Sequence, residues 1–209
     1  MIRTRKYNKG FTLIELLVCM IIFVIMTALL VVKYGNFSQN ILVTNIAYDT
    51  ALAIRTAQNY GLSVKTSAVV GSLDCSSGSG SVGDEGKFQC SYGVEFDTNS
   101  SPKSFKTFVH KPLQSENGQY SSDNRDLSMA TYNLRSNATI SGYCFTDTGC
   151  TPDVSGKLDI LFRRPDPAAM IYFDGDTTPR PYVKITIQGS DGTKRYISIR
   201  SNGQISVDI

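Results

Sequence analysis

Phe11-Thr12-Leu13-Ile14-Glu15-Leu16-Leu17-Val18-Cys19-Met20-Ile21-Ile22-Phe23-Val24-Ile25-Met26-Thr27-Ala28-Leu29-Leu30-Val31-Val32 is the stretch that decides the fold. Between Lys9 and Lys33 the only charged side chain is Glu15, and no proline or internal glycine interrupts the run. Its length at helical rise is roughly 33 Å, close to the hydrocarbon thickness of a bilayer. A helix satisfies its own backbone groups in lipid, so this run reads as a membrane span.

The flanks give the span a direction. Arg3, Arg5, Lys6 and Lys9 precede it, and only Lys33 closely follows. Positive charge stays inside, which places the N-terminus in the cytoplasm and residues 34–209 outside. No small-x-small cleavage site follows the run, and the run is longer than a usual signal core. Glu15 lies five residues into it, where a carboxylate is costly and normally has a partner. A plain anchor whose Glu15 stays wet at the interface is the simplest alternative.

Lys9-Gly10-Phe11-Thr12-Leu13-Ile14-Glu15-Leu16-Leu17-Val18 resembles the prepilin cleavage and methylation motif of type IV pilins and type II secretion pseudopilins. The resemblance implies cleavage by prepilin peptidase between Gly10 and Phe11 and methylation of the new amine on Phe11. It also implies that Glu15, fifth in the mature chain, forms an assembly salt bridge with a neighbour. The chain departs from many major pilins in having no proline before Pro102.

Beyond the span and Lys33, 176 residues remain, enough for one domain with a real core. The formal charge of +3 is misleading, because four of the 21 basic residues lie before Gly10. The remaining 17 face 18 acidic residues. Net charge therefore gives no support for nucleic-acid binding.

Cys19 lies in the span as a small apolar residue. Cys75, Cys90, Cys144 and Cys150 fall on the exported side, where an even number suggests two disulfides. Three pairings are possible. The expected one is Cys75–Cys90 with Cys144–Cys150, since each closes a local polar loop. No C-x-x-C pair is present and His110 is the only histidine, so no metal site is expected.

Four segments follow from this pass: a leader at 1–10, a transmembrane half of a helix at 11–33, an amphipathic half at 34–61, and a β-rich domain at 62–209. Tyr34-Gly35-Asn36 is expected to loosen the helix, with Gly35 costing about 1 kcal/mol relative to alanine. From Ser38 the helix resumes. Leu42, Ile46, Ala47, Asp49, Ala53, Ile54, Ala57 and Tyr60 recur at threes and fours, all but Asp49 apolar or aromatic. Gly61 is the expected helix stop. Residues 71–87 read as a Ser/Gly-rich loop. Gly78, Gly80 and Gly83 match G-x-G-x-x-G formally, but without the strand and helix that a nucleotide site needs.

The rest reads as strands. Phe88–Asp97 alternates, with Phe88, Cys90, Tyr92, Val94 and Phe96 on one face. Ser104–His110, Met129–Leu134, Thr139–Phe145, Leu158–Phe162, Ala168–Phe173, Tyr182–Gln188, Arg195–Arg200 and Gln204–Val207 follow. Residues 114–126 are a turn region. Gly189-Ser190-Asp191-Gly192 and Ser201-Asn202-Gly203 are hairpin connections that make the last three strands an antiparallel meander.

This order extends the resemblance, less specifically, to the GspH/FimT-like minor pilins and pseudopilins. The segments that carry it are the amphipathic helix, Tyr92-Gly93-Val94-Glu95-Phe96-Asp97, the polar stretch 115–126, Leu161-Phe162-Arg163-Arg164-Pro165-Asp166, and the closing run Ile197–Val207. The implied fold is α+β and pilin-like: a long hydrophobic N-terminal helix whose C-terminal half packs on an antiparallel β-sheet domain.

No catalytic constellation stands out, and no cofactor is expected. His110 reads as a surface or edge residue, and no G-x-S-x-G serine accompanies it. Glu116, Asp123 and Asp126 offer oxygen ligands, but the calcium-loop register is absent and a solvated turn is expected. Arg163, Arg164, Arg180 and Lys184 read as scattered surface charge.

The leading function is structural: a minor pilin or pseudopilin built into a type IV pilus, a type II secretion filament or a competence pseudopilus. The implied partners are other pilins, prepilin peptidase, the inner-membrane assembly platform and, before assembly, the lipid bilayer. A tip-displayed module capturing DNA or a surface is the second class, and a membrane-anchored enzyme the third.

Overall fold

The structure is a computed structural model that describes residues 10–63, 90–110, 126–146, 153–163 and 166–208; side chains of 32–38 are outside that description. The chain divides into two compact units, Met1–Ser38 and Gln39–Ile209. The fold is α+β: one N-terminal apolar helix, then antiparallel sheets.

Helix α1 spans Leu13–Leu62 without a break. The loosening expected at Tyr34-Gly35-Asn36 does not interrupt it. One glycine costs about 1 kcal/mol in a helix interior, and no proline adds to that cost. Within the first unit, Leu13–Val31 is long and apolar enough to cross a membrane, and none of it is buried.

In the second unit the buried helix face carries Val43, Ile46, Ala47, Thr50, Ala51, Ala53, Ile54 and Ala57. The helical period expected from sequence is there, with Val43, Thr50 and Ala51 added. Asp49 is exposed. The stripe is rich in alanine, which lets the backbone come close to the sheets. The expected stop falls one residue short of the helix end at Leu62, and Gly61 itself lies inside the helix. It is buried in the last helical turn, and a Cβ there would lie 2.7 Å from Phe162 O and 2.8 Å from Phe162 Cβ. Its role is close approach to a strand.

Nine strands follow: β1 Ser91–Asp97, β2 Ser104–His110, β3 Asp126–Asn133, β4 Thr139–Cys144, β5 Lys157–Arg163, β6 Asp166–Phe173, β7 Tyr182–Gln188, β8 Lys194–Arg200 and β9 Ile205–Asp208, counted among the described residues. They form a five-stranded sheet in the order β3-β2-β1-β5-β6 and a four-stranded sheet in the order β4-β7-β8-β9. All described pairings are antiparallel. The meander β7-β8-β9 is present, and Gly192 and Gly203 take the positive φ of 85° and 84° that these turns need.

Both sheets and the helix share one core. It includes Ile46 and Ile54 from α1, Val94, Phe96, Ile160 and Phe162 from the first sheet, and Val183, Ile185, Ile197 and Ile199 from the second. Polar clamps hold the helix in place. Arg55 Nη2 donates to Ile205 O at 3.0 Å, and Gln58 Nε2 donates to both Pro167 O and Gly203 O at 3.0 Å. Arg195 Nε donates to Thr44 Oγ1 at 3.0 Å.

The central strand β1 is buried on both faces. The expected alternation places Tyr92, Val94 and Phe96 toward the core. Ser91, Gly93 and Glu95, on the opposite face, are buried as well. His110 also departs from expectation. It is 6 % exposed, not a surface residue, because β2 lies inside the sheet and pairs with β1 and β3.

Candidate functional site

The start of α1 is the first place where sequence-predicted residues come together. Thr12 precedes the first helical residue, Leu13, and Glu15 is the third residue of the helix. Thr12 N donates to Glu15 Oε2 at 2.9 Å, and Thr12 Oγ1 donates to the same oxygen at 2.8 Å. Glu15 N approaches Thr12 Oγ1 at 3.4 Å, and Leu16 N donates to Thr12 O at 3.2 Å. This is a reciprocal capping box, which satisfies amides that the first turn leaves open. A carboxylate at this end also complements the helix dipole.

Thr12-Leu13-Ile14-Glu15 has the S/T-x-x-E spacing of that box, and the spacing alone signals it. The sequence reading gave Glu15 a role without giving Thr12 one. Gly10 and Phe11 lie just outside the helix. Phe11 is 86 % exposed, and a Cβ on Gly10 would meet nothing within 4 Å. The backbone on either side of the Gly10–Phe11 bond is therefore open to an approaching protein. Arg3, Arg5, Lys6 and Lys9 lie outside the described residues.

Cys19 is a free, exposed thiol in the apolar half of α1. Cys90 and Cys144 are disulfide-bonded and almost fully buried, just before β1 and at the end of β4. Cys75 and Cys150 lie outside the described residues, as do Gly78, Gly80 and Gly83.

Of the three oxygen ligands considered for calcium, Glu116 and Asp123 lie outside the described residues. Asp126 is not in a solvated turn. It opens β3, faces His110 in register, and its Oδ1 lies 2.7 Å from His110 Nδ1. Ser91 faces His110 from the other side, so Ser91, His110 and Asp126 form one row across three strands. They are 2 %, 6 % and 9 % exposed, which leaves no room for a substrate. Among the described hydrogen bonds, His110 is joined to Asp126 and not to Ser91. No group of three or more His, Cys, Asp or Glu that could hold a metal occurs among the described residues.

The basic residues do not act alike. Arg180 Nε donates to Asp176 Oδ2 at 2.6 Å, and its guanidinium lies 4.1 Å from the Phe145 ring centre. Lys184 sits over Tyr196 at 5.7 Å. Arg163 closes β5 on the other sheet, and Arg164 is outside the described residues.

A family model for the prokaryotic N-terminal methylation motif matches residues 5–31. The match covers the Gly10–Phe11 junction, Thr12, Glu15 and the apolar run. It supports a type IV pilin-like chain, and such a motif implies contact with other pilins and with prepilin peptidase. It points to a structural subunit more than to an enzyme. No curated protein matches the chain, and no solved structure does.

Proposed function

We propose that the chain is a minor pilin or pseudopilin of the GspH/FimT type. In this reading prepilin peptidase cuts between Gly10 and Phe11, and Phe11 is N-methylated. The N-terminus faces the cytoplasm and the β-rich domain is exported. The assembly platform then draws the subunit from the inner membrane into a filament.

The observation that carries the proposal is the state of α1 at its start. Leu13–Val31 exposes nearly every apolar side chain. Lipid covers such a surface before assembly, and outside lipid it must be covered by other helices. One carboxylate, Glu15, sits at the head of this surface. In a helical bundle without water it needs a cation, and a neighbour's Phe11 ammonium supplies one. Losing one partner of such a pair leaves an uncompensated charge, so the pair also fixes axial register.

Glu15→Leu tests this. The variant removes a charge from the span, so insertion and processing are retained. Its recovery with partner pilins is expected to fall at least tenfold at unchanged membrane abundance. Recovery equal to wild type contradicts the proposal and favours a plain anchor.

A further inference from the structure

Three asparagines open an Asn-x-Ser/Thr acceptor sequence with no proline at its centre: Asn36-Phe37-Ser38, Asn99-Ser100-Ser101 and Asn137-Ala138-Thr139. Side chains at 36–38 lie outside the described residues. The other two sequences stand on turns of the second unit, between β1 and β2 and between β3 and β4. Leu134 N donates to Lys103 O at 2.8 Å and Ile140 N to Pro102 O at 2.7 Å, which ties the two turns together.

The fold accounts for Asn137. It sits at φ 57°, a left-handed conformation in which asparagine is enriched, and its Oδ1 accepts from Lys103 Nζ at 3.4 Å. Asn99 has neither feature. Its φ is not positive, and its carboxamide has no partner among the described hydrogen bonds. Asparagine commonly enters a turn because its side chain bonds a nearby backbone group. Here Asp97 does that instead: its Oδ1 accepts from Asn99 N and from Ser100 N, both at 2.9 Å. Thr98 pins the next position, since its N donates to Gly156 O at 3.1 Å and its Oγ1 accepts from Gly156 N at 2.8 Å.

The turn is thus fixed by its neighbours, with Asn99 left at the exposed tip. Ser100 beside it is exposed and Ser101 is half-buried. Transfer of a sugar to asparagine needs a reachable amide nitrogen and a hydroxyl two residues on. A carbohydrate chain is bulky and hydrophilic, so only a surface position can carry it. Asn99 meets each condition, and no side-chain hydrogen bond described for it has to be given up.

We propose that Asn99 is an N-glycosylation site, the acceptor for an oligosaccharide carried on a polyprenyl diphosphate. The assignment rests on the exported orientation of residues 34–209 in the reading above. The step forms a bond from Asn99 Nδ2 to the anomeric carbon of the first sugar and breaks that carbon's bond to the diphosphate oxygen. Nδ2 gives up one proton, polyprenyl diphosphate leaves with the bonding pair, and nothing is oxidised or reduced. A membrane-bound transferase recognises the Ser101 hydroxyl. The attached chain covers the end of the domain where the β1–β2 and β3–β4 turns meet.

The test uses the full chain purified from its native membrane. Its peptides are mapped by mass spectrometry with electron-transfer fragmentation, which keeps a sugar on the residue that bears it. Asn99 is expected to carry an oligosaccharide. Asn99→Gln and Ser101→Ala should each remove it and Ser101→Thr should keep it, all at unchanged membrane abundance. A bare Asn99, a sugar on Ser100, Ser101 or Asn137 in its place, or undiminished occupancy in Ser101→Ala overturns the assignment. The N-terminal peptide and Cys144 are read from the same unreduced digest. If Asn99 is bare while the chain starts at Phe11 and Cys144 is oxidised, the export reading stands and only the site falls. If Asn99 is bare, the chain starts at Met1 and Cys144 is a free thiol, both fall.

Discussion

Thr12 and Glu15 close the first turn of α1 on each other: Glu15 Oε2 accepts from Thr12 N at 2.9 Å and from Thr12 Oγ1 at 2.8 Å. The carboxylate that the filament reading needs for a neighbour is therefore already oriented within its own chain. Thr12→Val removes the hydroxyl and keeps the shape. It should speed amide hydrogen exchange over Leu13–Leu16 in detergent micelles, while Thr12→Ser restores the wild-type rate. Unchanged exchange in Thr12→Val would show that the box does not hold the helix start. Recovery with partner pilins should fall less than in Glu15→Leu, because the charge itself remains.

Gly61→Ala sets two effects against each other. Helix propensity favours alanine by about 1 kcal/mol. The added methyl would stand 2.7 Å from Phe162 O, which forces helix and strand apart. Overpacking of this kind costs about 1–3 kcal/mol and is expected to win. The variant should melt lower than wild type, by a few degrees. A raised Tm would mean that the helix end yields freely.

The apolar run, the 3.6-residue period after Ser38 and the period-two strands were legible because each is a local pattern. Ser104–His110 and Tyr182–Gln188 keep their expected bounds for that reason. What was not legible depends on pairing between distant segments. β4 joins β7 and not the neighbouring β3, so the chain splits into two sheets. β5 returns to pair with β1, and that distant pairing makes β1 the central strand. His110 and Asp126 are 16 positions apart and meet only because β2 and β3 pair. Gly61 carries a standard helix-stop signal in sequence, and only the approach of Phe162 shows its other use. The Thr12–Glu15 box is local too, and its S/T-x-x-E spacing is legible in sequence.

Glu95 gives a pH signature. It is 7 % exposed and faces Asp159 across the β1–β5 pair. Burial raises its pKa above 4.5, opposed by the charges of Lys157 and Lys106. A raised folded-state value means that the stabilising contribution is fully present below about 4.5 and is lost as pH rises through the folded value. Glu95→Gln, always neutral, should match wild type at pH 4 and be more stable at pH 7. Thermal unfolding of the detergent-solubilised chain at both pH values measures this. A variant less stable at pH 7 would mean that the ionised carboxylate is well compensated.

Cys75–Cys90 and Cys144–Cys150 remain the proposed pairs. Their loops enclose 14 and 5 residues. Bridges of this kind contribute about 2–4 kcal/mol. Non-reducing peptide mapping should recover both pairs from native protein. A Cys75–Cys144 peptide would refute this pairing.

The central claim is that the chain is handled as a prepilin, and the intact mass of the membrane-extracted protein tests it most directly. The account predicts a chain that begins at Phe11 and carries one added methyl group on its α-amine. A mass that begins at Met1, or anywhere after residue 25, would contradict it.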